Sequence, residues 1–317
     1  MKVLTLNEVA VWLSERDHYV ILTHRRPDGD TVGSAVALCR GLRSLGKQAW
    51  ILRNPQFTPK FAPFLDGLTI DAVPYNSHLL SVDIATEGLL PMNGEGLGNR
   101  IELLIDHHGS NNGFAKRGYV DPTAAACGEI ILELLGLMGV EPDPAIGEAL
   151  YVAISTDTGC FRYSNTTANT LMAAATCKNW GADTFTINRV FFMTKRTARL
   201  KLEAYLTNTT VFHKNGMVAV SEIPNEIREE LALTPDDIDD ISGFGREIEG
   251  VEIAVMIRQE SDGGKISVRT SPNYDASAIC AKLGGGGHKA AAGATVPGGI
   301  CEAKEAVLRV LAEMELI

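Results

Sequence analysis

Four segments of this chain bring a carboxylate or an imidazole to the end of an apolar run. Asp106-His107-His108 closes Ile101–Ile105, His24-x-x-x-Asp28-x-Asp30 follows Tyr19–Thr23, and Asp83 lies near the end of the run that begins at Leu79. Asp157 sits in Thr156-Asp157-Thr158-Gly159. Hard divalent cations favour carboxylate oxygens and imidazole nitrogens. A pair of such ions about 3.5–4 Å apart can activate water and clamp a phosphoryl group. Each segment alone has an ordinary explanation: a turn, a capping aspartate, a histidine paired with an acid. Jointly they point to a two-metal hydrolase.

The spacing supports this. Pro27 and Gly29 predict a tight turn after the first strand, one able to aim Asp28 and Asp30 at one centre with His24 close to Asp28. In open α/β sheets ligands collect beyond the carboxyl ends of strands, where these residues fall. A carboxylate at Asp83 could bridge two ions. Asp157 is expected beyond a helical stretch, before Thr158-Gly159.

The elements that must hold these residues alternate. Tyr19–Thr23, Gln48–Leu52, Leu79–Ile84 and Ile101–Ile105 read as buried strands. Thr31–Leu45 carries apolar residues at helical spacing and stops at Gly46. Ala124–Leu137, Pro144–Ser155, Ala168–Trp180 and Thr184–Phe192 read as successive helices. Strands alternating with helices predict βαβ units and a doubly wound parallel sheet. A Lys- and Arg-rich helix from Lys195 to about Thr207 leads into two hairpins. One is Val211–His213 with Met217–Val220 around Lys214-Asn215-Gly216. The other is Val251–Ile257 with Lys265–Arg269 around Ser261-Asp262-Gly263-Gly264. The expected organisation is an N-terminal domain over 1–194, a linker helix over 195–209 and a smaller α/β domain over 210–317.

These segments resemble the motifs of the DHH phosphoesterase superfamily. His24-Arg25-Arg26-Pro27-Asp28-Gly29-Asp30-Thr31-Val32-Gly33-Ser34 is similar to its first motif, Asp83 to its second and Asp106-His107-His108 to the triplet that names it. Asp157-Thr158-Gly159-Cys160-Phe161-Arg162 is similar to the fourth. Gly284-Gly285-Gly286-Gly287-His288-Lys289-Ala290-Ala291-Ala292-Gly293 resembles the glycine-rich motif of the associated DHHA1 domain. The resemblance implies two manganese ions; chemistry alone would also admit magnesium or another divalent ion. It implies one ion held by His24, Asp28 and Asp83, and another by Asp30, Asp83, His107 and Asp157. His108 would then face the scissile phosphate, with Asp106 behind the histidines to orient them. The active site would lie in a cleft between the domains. One departure stands out: relatives often carry an arginine soon after the second-motif aspartate, and here none follows Asp83 before Arg100.

Gly286, Gly287, His288 and Lys289 could cradle an anion, through exposed N–H groups and nearby charge. Arg269, at the end of a hairpin strand, and Arg162, close behind Asp157, are candidates to meet substrate. Arg25 and Arg26 read as solvated or paired, and the Lys195–Lys201 cluster as a solvated helix face. Members of the family with this length and a fused DHHA1 domain imply hydrolysis of short oligoribonucleotides and of 3′-phosphoadenosine 5′-phosphate. Cyclic or linear dinucleotides are the nearest alternative substrates, and a nucleotide-binding sensor that keeps its metals is the alternative of another class.

Bulk composition bounds these readings. The net charge of −10 argues against coating long duplex nucleic acid, which favours a basic surface. The six scattered cysteines form no CxxC, a pattern of reduced thiols in a cytoplasmic protein. No apolar run is long enough to predict a membrane span, and the N-terminal apolar face is broken by Asn7, Glu8, Glu15 and Arg16, unlike a signal peptide. A homodimer is compatible with the sequence.

Overall fold

The structure, a computed structural model, describes residues 1–238, 240–260 and 263–317. The chain forms two compact units, Met1–Thr194 and Lys195–Ile317.

The first unit is built on a seven-stranded sheet in which every pairing is parallel. Its order is Lys2–Val3, Arg117–Val120, Ile101–Asp106, His78–Val82, Tyr19–Leu22, Ala49–Leu52, Thr69–Ile70. The central strands are buried on both faces, so they read as continuous apolar runs rather than alternating ones. One face carries Tyr19, Ile21, Leu80 and Ile105 against the helices Leu6–Ser14, Gly29–Ser44, Cys127–Leu137 and Pro144–Asp157. The other carries Val20, Leu22, Leu79 and Leu104 against Ile84, Leu90 and Ala115, in segments of 3-10 turns and loop. From the pair Tyr19–Leu22 and His78–Val82 the chain winds outward in opposite directions. That pair is the switch point of the sheet, the place beyond which ligands bind in open α/β folds. His24 and Asp83 leave the sheet there.

The helix Gly29–Ser44 starts two residues before the expected Thr31, because Asp28 is its N-cap: the carboxylate accepts from Asp30 N at 3.0 Å and Thr31 N at 3.2 Å. The expected tight turn at Pro27-Asp28-Gly29 is therefore a helix entry. Gly29 serves close approach instead: a Cβ there would lie 2.2 Å from Thr156 Oγ1. A Cβ at Gly33, one turn on, would lie 2.3 Å from the Ala149 carbonyl oxygen. The helix Pro144–Asp157 thus lies directly on these glycines. Its start is set by Asp143, whose side chain accepts from Ile146 N, and by Pro144 in the first turn. It runs through Asp157, so that residue ends the helix rather than lying beyond it. Gly159, Cys160 and Phe161 then adopt left-handed φ values of 56°, 58° and 64°, which stop it.

The other expected elements form with shifted ends. The helix expected over Thr184–Phe192 is α-helical only to Asn188 and continues as a π turn over Arg189–Met193. The strands Lys2–Val3, Thr69–Ile70 and Arg117–Val120 had no counterpart in the periodicity.

In the second unit a six-stranded sheet has the order Gly286–Gly287, Ala291–Val296, Gly263–Thr270, Ile253–Glu260, Val218–Ile223, Val211–His213. It is antiparallel except where Ile253–Glu260 runs parallel to Val218–Ile223. Both expected hairpins are present; the turn residues Ser261 and Asp262 lie outside the described residues. The helix Ile300–Glu313 packs Ala303, Val307 and Leu311 onto Ile257 and Ile266. The helix Thr197–Thr209 buries Leu202 and Leu206 against Ile223, Ile241 and Met256, so it packs within this unit. Three basic residues at its start are paired: Lys195 and Arg199 with Glu203, each at 2.8 Å, and Arg196 with Asp237. Among the described residues no helix is long and apolar enough to cross a membrane.

Candidate metal centre

Asp83 follows the strand His78–Val82 in a left-handed conformation, φ 59°, and is only 3% exposed. Its two carboxylate oxygens face different neighbours. Oδ2 lies 3.6 Å from His24 Nε2, which is also 3.4 Å from Asp28 Oδ2. Oδ1 lies 3.4 Å from His107 Nε2 and 3.5 Å from His108 Nδ1. His24 Nδ1–H donates to the Arg25 carbonyl at 2.8 Å, which leaves Nε2 turned toward the carboxylates.

A second group forms beside it. Asp30, the second residue of the helix that Asp28 caps, is 1% exposed. Its oxygens accept from Cys127 N at 2.6 Å, Gly128 N at 3.0 Å and Ser34 Oγ at 3.0 Å. His107 Nε2 lies 3.6 Å from Asp30 Oδ2 and 3.6 Å from Asp157 Oδ2. Its Nδ1–H donates to the Ala124 carbonyl at 3.2 Å, the arrangement that fixes the tautomer of a metal-ligating histidine. Potential ligand atoms of His24, Asp28 and Asp83 lie within 4.8 Å of one another, as do those of Asp30, His107 and Asp157. Asp28 and Asp30 thus face separate groups rather than one centre, because one lies outside the helix and the other inside it.

Asp106 ends the strand Ile101–Asp106, fully buried. Its Oδ1 accepts from the backbone N–H of His107 at 2.8 Å and of His108 at 3.2 Å, and from His108 Nδ1 at 2.8 Å. Its Oδ2 accepts from Asn111 Nδ2 at 2.6 Å. The triplet therefore divides by role: Asp106 holds His108, and His107 faces the carboxylate group. Asn111 was not singled out from the sequence, where it sits in an ordinary polar turn.

The electrostatics favour a cation. Burial and the neighbouring Asp30 and Asp28 carboxylates push the Asp83 pKa well above the usual carboxylate value. Burial and Asp30 likewise lift Asp157 to about 7. Burial works against an imidazolium at His24, but Asp28 and Asp83 outweigh it and lift its pKa to about 10. Burial also raises Asp106, yet the hydrogen bonds from His108 and Asn111 hold it below its ordinary value and so ionised. Asp83 Oδ1 is buried and accepts no hydrogen bond. An orphaned buried carboxylate oxygen, ringed by further carboxylates and two imidazoles, fits a divalent cation of hard character. His24, Asp28 and Asp83 would hold one ion and Asp30, Asp83, His107 and Asp157 another.

In the second unit, His288 and Ala291 exchange backbone hydrogen bonds of 2.8 and 3.2 Å, closing a tight turn before the strand Ala291–Val296. The Lys289 carbonyl accepts from Ala276 N at 2.7 Å and Thr270 Oγ1 at 2.9 Å, so the turn is pinned. Arg269 pairs with Ala291 in the sheet register, which brings it beside this turn. The glycines divide in function. A Cβ on Gly285 would meet Gly293 O at 2.1 Å and one on Gly287 would meet Ala292 Cα at 2.6 Å, whereas Gly286 faces open space. Half of the run thus serves strand packing and half leaves backbone exposed. Arg162 is exposed and donates from Nε to the Gly159 carbonyl at 2.6 Å. Arg25 is paired with Glu95.

Comparison with known proteins agrees with this geometry. The pattern of the DHH family, N-terminal domain, matches residues 18–154, and that of the DHHA1 domain matches residues 215–315. The bifunctional oligoribonuclease and PAP phosphatase NrnA of Thermus thermophilus is 33% identical over 302 residues, covering 92% of this chain and 89% of that protein. This chain belongs to the DHH family. It shares its fold with an exopolyphosphatase-related protein of Bacteroides fragilis, at a TM-score of 0.87 and 21% identity over 98% of this chain and 96% of that one. The fold also extends to RecJ of Thermus thermophilus in complex with Mn2+, at a TM-score of 0.56 and 16% identity over 98% of this chain and 55% of that one. As a DHH-family protein with an attached DHHA1 domain, this is a hydrolase of phosphoester bonds, and its carboxylate and histidine groups are of the kind that binds divalent metal.

Proposed function

We propose that this protein is a manganese-dependent cytoplasmic phosphoesterase that hydrolyses short oligoribonucleotides to mononucleotides and 3′-phosphoadenosine 5′-phosphate to AMP. The observation that carries the metal-dependent chemistry is Asp83, a buried carboxylate whose two oxygens face separate ligand groups and whose Oδ1 accepts no hydrogen bond. The substrate class is supported by the likeness to the Thermus thermophilus oligoribonuclease and PAP phosphatase, which extends over most of both chains. Manganese is supported by the mixed carboxylate and imidazole donors and by the ion held in the RecJ structure.

Bound divalent ions would supply Lewis-acid polarisation of a phosphoryl oxygen and a more acidic water. The chain's own residues do the rest. Asp30, Asp83 and Asp157, whose carboxyls crowd one another, would give up their protons to bound cations and hold those cations in a fixed frame. Asp106, kept ionised, accepts the hydrogen bond from His108 Nδ1–H and so fixes the ring with Nε2 directed away from it. His108 then hydrogen-bonds the scissile phosphate and delivers a proton from Nε2 to the leaving oxygen. The turn at Gly286, Gly287, His288 and Lys289, with Arg269, binds an anionic part of the substrate, and Arg162 adds a contact near Asp157. Short substrates are preferred over long duplex nucleic acid.

The test is product analysis of the purified chain with Mn2+. Expected are AMP from 3′-phosphoadenosine 5′-phosphate and mononucleotides from a dinucleotide such as pApA, both abolished by EDTA, with little attack on a long single strand. Dominant cleavage of a cyclic dinucleotide or of pyrophosphate would overturn the substrate. Metal binding without turnover of any of these would replace the enzyme with a sensor.

A further inference from the structure

Asn111 ties together two parts of the site that are distant in sequence. Its Nδ2 donates to Asp106 Oδ2 at 2.6 Å and to the carbonyl of Ile84 at 3.1 Å. Its Oδ1 accepts from Gly113 N at 2.8 Å, and its own N–H donates to the His108 carbonyl at 3.0 Å. Next to it, Asn112 N donates to the Ala85 carbonyl at 3.1 Å. Ile84 and Ala85 are the residues that follow Asp83, whose left-handed φ needs support from outside. One carboxamide therefore spans the Asp83 turn, which aims the shared carboxylate, and Asp106, which aims His108.

The chemistry requires an amide. Asp106 Oδ1 already accepts three hydrogen bonds, so the donor at Oδ2 completes the shell of a fully buried carboxylate. The second donation, to Ile84 O, must come from the same nitrogen while Oδ1 accepts from Gly113 N. A carboxylate in this place could make the last contact and neither of the first two. A hydroxyl could not span the distance to both acceptors.

We infer that Asn111 is a positioning residue for the reaction, acting at once on the Asp106–His108 pair and on the turn that carries Asp83. This rests on the phosphoesterase reading above for its kinetic consequence, but not for its structural one. Residues that hold metal-site groups in this way typically change activity or affinity by about 10–100-fold when replaced.

The experiment compares wild type with Asn111→Ala and the near-isosteric Asn111→Asp. Mn2+ affinity is measured by calorimetry, thermal unfolding is followed without metal, and kcat and KM are measured at saturating Mn2+. Both variants are expected to bind Mn2+ about tenfold more weakly and to lose about tenfold or more in kcat, with KM within about threefold. A residue that merely stabilises the loop would lower the unfolding temperature and leave Mn2+ affinity and kcat unchanged; that result overturns the inference. So would wild-type kcat and affinity in Asn111→Asp, since that variant keeps the size and loses the donor. If Asn111→Ala does not fold, Asn111→Asp decides. If wild type turns over none of the substrates, the functional reading fails while the Mn2+ affinities still decide the role of Asn111.

Discussion

Asp30 Oδ2 accepts a hydrogen bond from Cys127 N at 2.6 Å, so a side chain on one helix caps another that begins almost a hundred residues later. The helix Cys127–Leu137 has Ala126 at its N-cap position and no capping side chain of its own. Asp30 also receives Gly128 N at 3.0 Å. The same carboxylate is thus a helix cap and part of the candidate metal centre. Asp157, by contrast, receives no such bond from a helix terminus and ends its own helix.

The two residues are therefore expected to separate when the metal-free protein is unfolded by denaturant. Asp30→Ala strands two buried N–H groups, each costing about 1–3 kcal/mol, and should lower stability by about 2 kcal/mol. Asp157→Ala removes a carboxylate crowded by others and should change stability by less than about 0.5 kcal/mol or raise it slightly. Both should lose most turnover. Equal destabilisation by the two would show that the capping role of Asp30 is minor.

The pKa of Asp157 fixes the sign of a pH effect. Its folded value, about 7, lies above its ordinary value of 3.8. The folded state therefore holds that proton more tightly than the unfolded chain, and stability is lost as pH rises from the lower value to the higher. Asp157→Asn removes this loss. Its unfolding temperature relative to wild type, without metal, should rise between pH 4 and pH 7 and level off above. Mn2+ should reverse the trend in wild type, binding more tightly as pH rises toward 7 because ligand protons must leave. A difference between wild type and variant that is flat across this range contradicts the assignment.

Helix contact at Gly33 offers an indirect route to the site. A Cβ there would meet the Ala149 carbonyl oxygen at 2.3 Å, and backbone cannot rotate away as a side chain can. Gly33→Ala should push apart the helices that carry Asp30 and Asp157, lower stability by about 1–3 kcal/mol and weaken Mn2+ binding, although no ligand is altered. Unchanged Mn2+ affinity would show that the helix spacing does not set the ligand positions.

The second unit is predicted to act on binding rather than on chemistry. His288→Ala should raise KM for 3′-phosphoadenosine 5′-phosphate by about tenfold with kcat nearly constant, as loss of uniform binding requires. Steady-state kinetics decide this, and an unchanged KM on every substrate would remove the anion grip from His288.

What the sequence made legible follows from how local each signal is. His24, Asp83 and Asp106 could be read because each ends a run buried on both sheet faces, and such runs show in the sequence without reference to partners. The strand Arg117–Val120 could not: Arg-Gly-Tyr-Val has no apolar run, and its place is set by parallel pairing to Ile101–Asp106 and Lys2–Val3. Gly29 was misread as a turn glycine because its reason, the Thr156 side chain, lies far along the chain. Asn111 and the Asp30 cap were hidden for the same cause. Their partners are long-range, and a polar residue in a turn carries no sign of which carboxylate it will meet.

On the proposed function, Asp83 would be a ligand common to both cation sites. Calorimetric titration of the metal-free protein with Mn2+, alongside Asp83→Ala, tests it most directly. The account predicts two ions per wild-type chain, and weakening of both sites together in the variant, because each loses a shared ligand. A single ion in wild type, or loss of only one of two sites in Asp83→Ala, would contradict it.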